Sequence, residues 1–375
     1  MVPDYNSLSS IVLSAIDNRV IPGAVVAVGQ AGRVSLLEAF GHRQVEPEFA
    51  PATVETVYDL ASLTKALVTS LLVMKGVEEG RWHLDQPLGD HLKMLADRPK
   101  VTIRRVLSHS GGFPAHRKFY EGMLVESRPG EERRALVVER AAAEPLVYEP
   151  GTQSIYSDLG FILLGMLVEQ VMSERLDTLA DRMLFRPLQL ASLGFVDLHK
   201  SVLGAQFHGF DVAPTERCPV RGRIIEGEVH DLNAFAMGGI AGHAGLFGGA
   251  RDLLEICSAL CAAYHGRGVH GRAPLVAPEV LRAFWQPAGI PGSTWRLGWD
   301  GPSATGSLAG ALISRRAVGH LSFTGCSVWI DPEQETSVIL LCNRIHPRVG
   351  DDARFRAFRP AVHDAALQAV GYQAG

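Results

Sequence analysis

Asp59-Leu60-Ala61-Ser62-Leu63-Thr64-Lys65 leads into the most apolar stretch of the chain, Leu63 to Met74. Apolar residues fall on nearly every side of its first turns, which predicts a buried helix from Leu63 to Glu79 rather than a surface one. Ser62 stands where a loop enters that helix, and Lys65 follows three residues later. Positions i and i+3 share a helix face, so the hydroxyl and the ammonium stem can meet. A serine hydroxyl is a poor nucleophile until a neighbouring base takes its proton. Burial disfavours the charged form of a lysine and so prepares it for that work. The positive field of the helix N-terminus favours an oxyanion forming there. A helix-capping serine with a surface lysine gives the same spacing. The apolar residues around Lys65 count against that reading, because a surface lysine belongs on a polar face.

Two further pieces lie outward from this one. Tyr156-Ser157-Asp158 directly precedes a second apolar helical run, Leu159 to Met172. Tyrosine serves as a general base or proton relay when nearby cations depress its pKa. Asp158 either caps that helix or belongs to the site, and a carboxylate placed beside Lys65 would raise the lysine's pKa. Gly319-His320-Leu321-Ser322-Phe323-Thr324-Gly325 opens a β-rich C-terminal segment. An edge strand beside a nucleophile can offer a backbone N–H to an oxyanion.

The β-rich runs sit at both ends of the chain. Gly23 to Gly29 and Val34 to Phe40, joined by Gln30-Ala31-Gly32, predict an N-terminal hairpin. Val318 to Ile330 and Ser337 to Cys342, joined by Asp331-Pro332-Glu333-Gln334, predict a second one. One antiparallel sheet built from both chain ends follows, flanked by helices, with an all-α region inserted between. We expect an α/β domain over residues 1–75 and 236–375 and a mostly helical insertion over 76–235, with the active-site cleft between them. Further helices are expected over Val101 to Leu107, Glu131 to Ala143 and Phe358 to Val370, and around Cys257 and Cys261.

In their order and spacing these pieces resemble the serine β-lactamase-like family of class C β-lactamases, penicillin-binding DD-peptidases and related esterases. That family runs Ser-x-x-Lys, then Tyr-x-Asn or a variant, then Lys-Thr-Gly or His-x-Gly on a strand. Ser62 with Lys65, Tyr156 with Asp158, and His320 take these places. Leu107-Ser108-His109-Ser110-Gly111-Gly112, Val229 to Ala234, Ala241 to Phe247, Trp329 to Glu333 and Asn343-Arg344 extend the resemblance over nearly the whole chain. The resemblance implies a β-lactamase/DD-peptidase-like fold and an acyl-enzyme on Ser62, with Lys65 and Tyr156 exchanging its proton with the leaving group. It implies an oxyanion hole from the N–H groups of Ser62 and Phe323, and substrate contacts from Asp158, His320, Leu321 and Ser322. Asp158 stands where the β-lactamases carry an asparagine amide, and Leu321-Ser322 replace Thr-Gly. An esterase or D-amino-acid-type peptidase is therefore expected, and at most a weak β-lactamase. An acyltransferase using the same acyl-serine and a catalytically silent binding protein of the fold are the alternatives. Retention of Ser62, Lys65 and Tyr156 together speaks against silence.

Bulk properties agree with a small-molecule or peptide substrate. Of 375 residues 20% are charged and the formal charge is -4, with no basic stripe for a nucleic acid. The five cysteines lack framework spacing and predict reduced, buried thiols. No cofactor is expected. His230, Asp231 and His243 lack the short spacing of a metal-ligand pair, so loop-stabilising hydrogen bonds or a substrate-loop role are expected of them rather than a metal. The N-terminus shows neither a basic nor an apolar signal region, and Leu63 to Met74 is too short to span a bilayer. A cytoplasmic protein without membrane contact is the expectation.

Overall fold

The computed structural model describes residues 5–123, 130–200, 207, 209–350 and 352–373. Eleven strands fall into three sheets among these residues. They are β1 (Gly23–Gln30), β2 (Arg33–Gln44), β3 (Ala50–Pro51), β4 (Tyr58–Asp59), β5 (Gly194–Phe195) and β6 (Arg217–Cys218). After them come β7 (Arg223–Ile224), β8 (Leu246–Gly248), β9 (Val318–Leu321), β10 (Ser327–Asp331) and β11 (Thr336–Cys342). The main sheet has the order β3-β2-β1-β11-β10-β9, so strands from both chain ends meet at its centre. There β1 and β11 pair antiparallel, with Val26 opposite Leu340.

Both faces of that centre are covered, and β1 is accordingly apolar without a break from Ala24 to Val28. Ala24, Val26 and Val28 pack into a cluster with the Tyr5–Asp17 and Asp352–Ala369 helices. Val25 and Ala27 point the other way, into the large core shared with the Ala250–Tyr264 helix and the helical middle of the chain. Period-two alternation of a strand places its neighbours in two different cores.

Three details differ from the sequence expectations. The run Val318 to Ile330 is two strands, because Ser322 N donates to Cys326 O at 2.9 Å and closes a turn between β9 and β10. Gly325 takes φ +121° in that turn, and a Cβ there would come within 2.5 Å of Cys342 Sγ. The expected helix from Leu63 begins with a π-helical segment, Lys65–Ser70, before continuing as α-helix over Leu71–Glu78. The last helix starts earlier than expected, at Asp352, and carries Pro360 within it. All five cysteines are free and buried.

The small sheet β4-β8-β5 positions the nucleophile loop. Its β4–β8 pairing, Asp59 opposite Phe247, lays the loop entering the Ser62 helix against the segment that carries His243.

Candidate active site

Ser62 and Lys65 meet as the spacing predicts: Lys65 Nζ donates to Ser62 Oγ at 3.2 Å. The lysine is fully buried within the first turn of the π-helical segment, a helix form frequent at functional sites. It gives a second hydrogen bond to His243 O at 2.9 Å and forms an ion pair with Asp158 at 2.7 Å. Its ammonium also lies 4.9 Å from the centre of the Tyr156 ring. Burial pushes the lysine pKa down, but the Asp158 carboxylate and Tyr156 outweigh burial and lift it to about 12. Burial raises the Asp158 pKa, yet the Lys65 charge and His116 overcome this and hold the carboxyl well below its usual range. The isolated expectation of a lysine depressed by its apolar pocket is thus reversed by its partners, Asp158 first among them.

Asp158 is the first residue of its helix rather than the cap. Ser157 holds the capping position, its hydroxyl accepting from Gly160 N at 3.4 Å. The carboxylate is freed for Lys65 on one oxygen and for His116 Nδ1, at 3.2 Å, on the other. His116 escaped the sequence reading, since nothing local marks it.

Tyr156 is aimed by His109. Ile155 N donates to His109 O at 2.9 Å, and Ser157 N donates to His109 Nδ1 at 3.0 Å, gripping the backbone on both sides of the tyrosine. The imidazole also packs on the ring of Tyr156, 4.6 Å between centroids, and Trp295 stacks on Tyr156 at 5.5 Å. Burial raises the Tyr156 pKa, and the charge of Lys65 opposes that rise. Trp295 was not anticipated either; it reaches the site from a distant loop with no sequence signal.

His320 completes this aromatic wall, with its ring centroid 5.9 Å from that of Tyr156 and 5.5 Å from that of Trp295. Burial, with the charge of Lys65, pushes its pKa down to about 3, so the ring is neutral at pH 7. Its Nδ1 lies 2.8 Å from Leu321 O, an acceptor only, which fixes the proton on Nδ1. The other nitrogen, Nε2, therefore carries a lone pair.

Leu321 and Ser322 sit differently from their expected substrate contacts. Leu321 packs with the cluster of the C-terminal helix, on the sheet face opposite the large core. Alternation along β9 sends it there once His320 faces Tyr156 and Trp295. The Ser322 hydroxyl is buried and shares a 2.9 Å hydrogen bond with Thr324 Oγ1 inside the turn.

The turn itself is fixed from several sides. Thr324 Oγ1 donates to Asp59 O at 2.8 Å, and Arg359 donates to Ser322 O and Gly325 O at 3.1 and 3.2 Å. Arg344 takes the last two carbonyls, through Nε to Phe323 O at 3.0 Å and through its amide to Thr324 O at 3.0 Å. With the carbonyls bound, the N–H of Phe323 is left without an acceptor among the described residues, as is that of Ser62. The Phe323 ring is 49% exposed and lies between the His230 ring, 5.5 Å away, and the Arg344 guanidinium.

His230, Asp231 and His243 bind the loops together. Asp231 caps the Leu232–Ala236 helix through Ala234 N at 2.7 Å and holds His243 Nε2 at 2.9 Å. His243 in turn presents its carbonyl to Lys65. His230 pairs with Glu216 at 3.0 Å. Among the described residues, no group of three or more His, Cys, Asp or Glu is placed to hold a metal ion. Among them, too, no helix is long and apolar enough to cross a membrane.

An antiparallel sheet closed by helices over a Ser-x-x-Lys helix is the architecture of the serine hydrolases that include β-lactamases and penicillin-binding proteins. The Beta-lactamase family model matches residues 9–361 of this chain. A protein of Escherichia coli K12 described as "Putative D-alanyl-D-alanine carboxypeptidase" is 32% identical over 80% of this chain and 72% of its own length. An N-acetylmuramyl-L-alanine amidase of Bacillus subtilis strain 168 is 30% identical over 88% of this chain and 79% of its own. The solved structure of EstCE1, a hydrolase with promiscuous acyltransferase activity, superposes with a TM-score of 0.72 at 22% identity. It covers 96% of this chain and 97% of that one. The chain belongs to the beta-lactamase family, and the family and its named relatives indicate hydrolase activity of the serine β-lactamase type.

Proposed function

We propose that the protein cleaves an ester or amide through an acyl-enzyme on Ser62, acting as an esterase or a D-amino-acid-type peptidase. The observation that carries this is the fully buried Lys65 ammonium shared between Ser62 Oγ, Asp158 and His243 O. A buried lysine bound to a hydroxyl that begins a helix is expensive to maintain without a use for the charge. Ser62 Oγ attacks the acyl carbon, and its proton enters the Tyr156–Lys65 pair and leaves from it to the departing group. The N–H groups of Ser62 and Phe323 receive the developing oxyanion. Because Asp158 holds Lys65 as an ammonium and burial keeps the Tyr156 phenol protonated, the competent form is one proton poorer than the resting form. Its share grows with pH.

Substrate choice follows from His320. A neutral ring with its lone pair on Nε2 offers an acceptor where the family's Lys-Thr-Gly offers a cation. A carboxylate placed there meets no donor from that ring, whereas an amide N–H or a hydroxyl finds a partner. Both named relatives, one described as a putative carboxypeptidase and the other as an amidase, support cleavage of an amide bond, and a ring without a donor favours the amidase type, whose name implies no terminal carboxylate. Fluorophosphonate labelling, followed by turnover of nitrophenyl esters and of D-alanyl and muramyl-type amides, tests the reading. A protein that neither labels at Ser62 nor turns over any of these substrates would refute it. The ratio of hydrolysis to transfer onto an added alcohol or amine separates a hydrolase from an acyltransferase.

A further inference from the structure

We infer that Asp59, three residues before Ser62, is the positioning residue that holds the nucleophile and the oxyanion turn in one register. This inference rests on Ser62 being the acylated residue. Asp59 is buried, and among the described residues it has no Lys or Arg ion pair. Its carboxylate is spent on backbone amides instead: Oδ1 accepts from Ala61 N at 2.8 Å and Oδ2 from His230 N at 2.7 Å. Its carbonyl accepts from Thr324 Oγ1 at 2.8 Å. One residue thus ties together the loop into Ser62, the His230–Asp231 loop and the turn that carries the Phe323 N–H.

The first of these bonds has a distinct job. Ala61, immediately before Ser62, has φ +44°, a left-handed conformation that costs a non-glycine residue free energy. The Asp59 Oδ1 bond to Ala61 N offsets that cost and sets the direction in which the Ser62 N–H leaves the loop. The second and third bonds bring the turn to the same place from the other side of the cleft, since Phe323 rests on the His230 ring and Thr324 on Asp59 itself. A change of register here moves one oxyanion donor relative to the other, which is felt in acylation and not in substrate binding.

The test compares Asp59→Asn, Thr324→Val and the double variant Asp59→Asn/Ala61→Gly with the parent. Fluorophosphonate labelling rate, ester kcat and KM, and amide hydrogen exchange are measured for each. Asp59→Asn keeps one acceptor oxygen and turns an NH2 toward the other amide. It is expected to lower the labelling rate and kcat by about tenfold or more with KM nearly unchanged, and to speed exchange at Ala61 and His230. Glycine takes a positive φ without the cost alanine carries, so Ala61→Gly is expected to restore a large part of the lost labelling. A residue that merely filled the core would show no such rescue. Thr324→Val leaves the carboxylate in place, and is expected to slow labelling without changing exchange at Ala61. Parent-like labelling and exchange in Asp59→Asn, or the absence of any rescue by Ala61→Gly, would overturn the inference. Exchange decides on Asp59 even for a parent that does not label at Ser62, an outcome that counts against the hydrolase reading alone.

Discussion

Asp158 Oδ1 lies 2.7 Å from the ammonium of Lys65, the same ammonium that donates to Ser62 Oγ at 3.2 Å. An asparagine at this place would leave the lysine to its apolar surroundings, which lower its pKa. The carboxylate reverses that and keeps the lysine charged.

A pH dependence is the direct consequence. Burial pushes the Lys65 pKa down, and Asp158 together with Tyr156 outweighs it and lifts the lysine to about 12. Removing the carboxylate in Asp158→Asn removes the stabilising partner and leaves the burial penalty, so the lysine pKa falls. The deprotonated network is then populated at lower pH. The acidic limb of the kcat/KM profile is expected to move to lower pH in Asp158→Asn, and an unmoved limb would count against the coupling.

Ser62→Ala is expected to abolish turnover and fluorophosphonate labelling while thermal unfolding stays close to that of the parent. The residue is only half-buried, and losing its hydroxyl deletes the 3.2 Å hydrogen bond from Lys65 and the contact with the Tyr156 hydroxyl, leaving the packing around it in place. Mass spectrometry of the labelled protein locates the adduct. Substantial labelling of the alanine variant elsewhere would remove Ser62 from its role.

Lys65→Ala and Tyr156→Phe should each slow acylation by at least about a hundredfold, the scale of a lost proton-transfer group. Both residues serve one proton transfer, so the double variant is expected to be little worse than the poorer single one. Pre-steady-state labelling rates of the three variants give the answer; multiplied losses would indicate separate roles.

The wall around His320 predicts a poor β-lactamase. Penicillins and cephalosporins bring a carboxylate to the strand of the third motif, here β9, and the neutral His320 ring faces it with a lone pair. A hydrogen bond to a charged group contributes about 1.5–3 kcal/mol, so its loss costs about tenfold to a hundredfold. Nitrophenyl acetate and butyrate lack the carboxylate and lose nothing. Their kcat/KM is expected to exceed that of nitrocefin, and the opposite order would refute the assignment.

One prediction concerns stability alone. Gly76 lies on the helix that follows Lys65, and a Cβ there would sit 1.9 Å from the Trp82 ring. That ring is buried and tethered by its own hydrogen bond to Val73 O at 3.1 Å, so it has nowhere to move. Alanine gains helix propensity of about 1 kcal/mol over glycine. The forced repacking costs about 1–3 kcal/mol and wins. Urea unfolding of Gly76→Ala should show a lower midpoint with an unchanged slope.

Much of this was legible in the chain itself. Ser62 and Lys65 are three apart on one apolar helix, and helical geometry alone brings them together. The hairpins at the two chain ends announce themselves by β-rich runs around short turns, and their pairing into one sheet follows because each needs a partner for its apolar edge. The order of Ser62-x-x-Lys65, Tyr156 and His320 was enough for the family resemblance. Those are local signals, carried by spacing and composition.

Tertiary structure alone decided the rest, for a physical reason that recurs at each place. The pKa of Lys65 depends on which charge shares its burial, and Asp158 is 93 residues away in sequence yet 2.7 Å away in space. The split of Val318 to Ile330 into two strands depends on carbonyls bound by Arg344 and Arg359 from beyond the hairpin. His109 and His116 from one loop and Trp295 from another reach Tyr156 and Asp158, where no periodicity marks them. Leu321 and Ser322 share a short motif with His320, but the pleat and the turn direct their side chains away from Tyr156 and Trp295, which His320 faces. Spacing along a helix fixes what a few neighbouring residues can do together; electrostatics and hydrogen bonding across distant segments fix what charge and direction each side chain finally has.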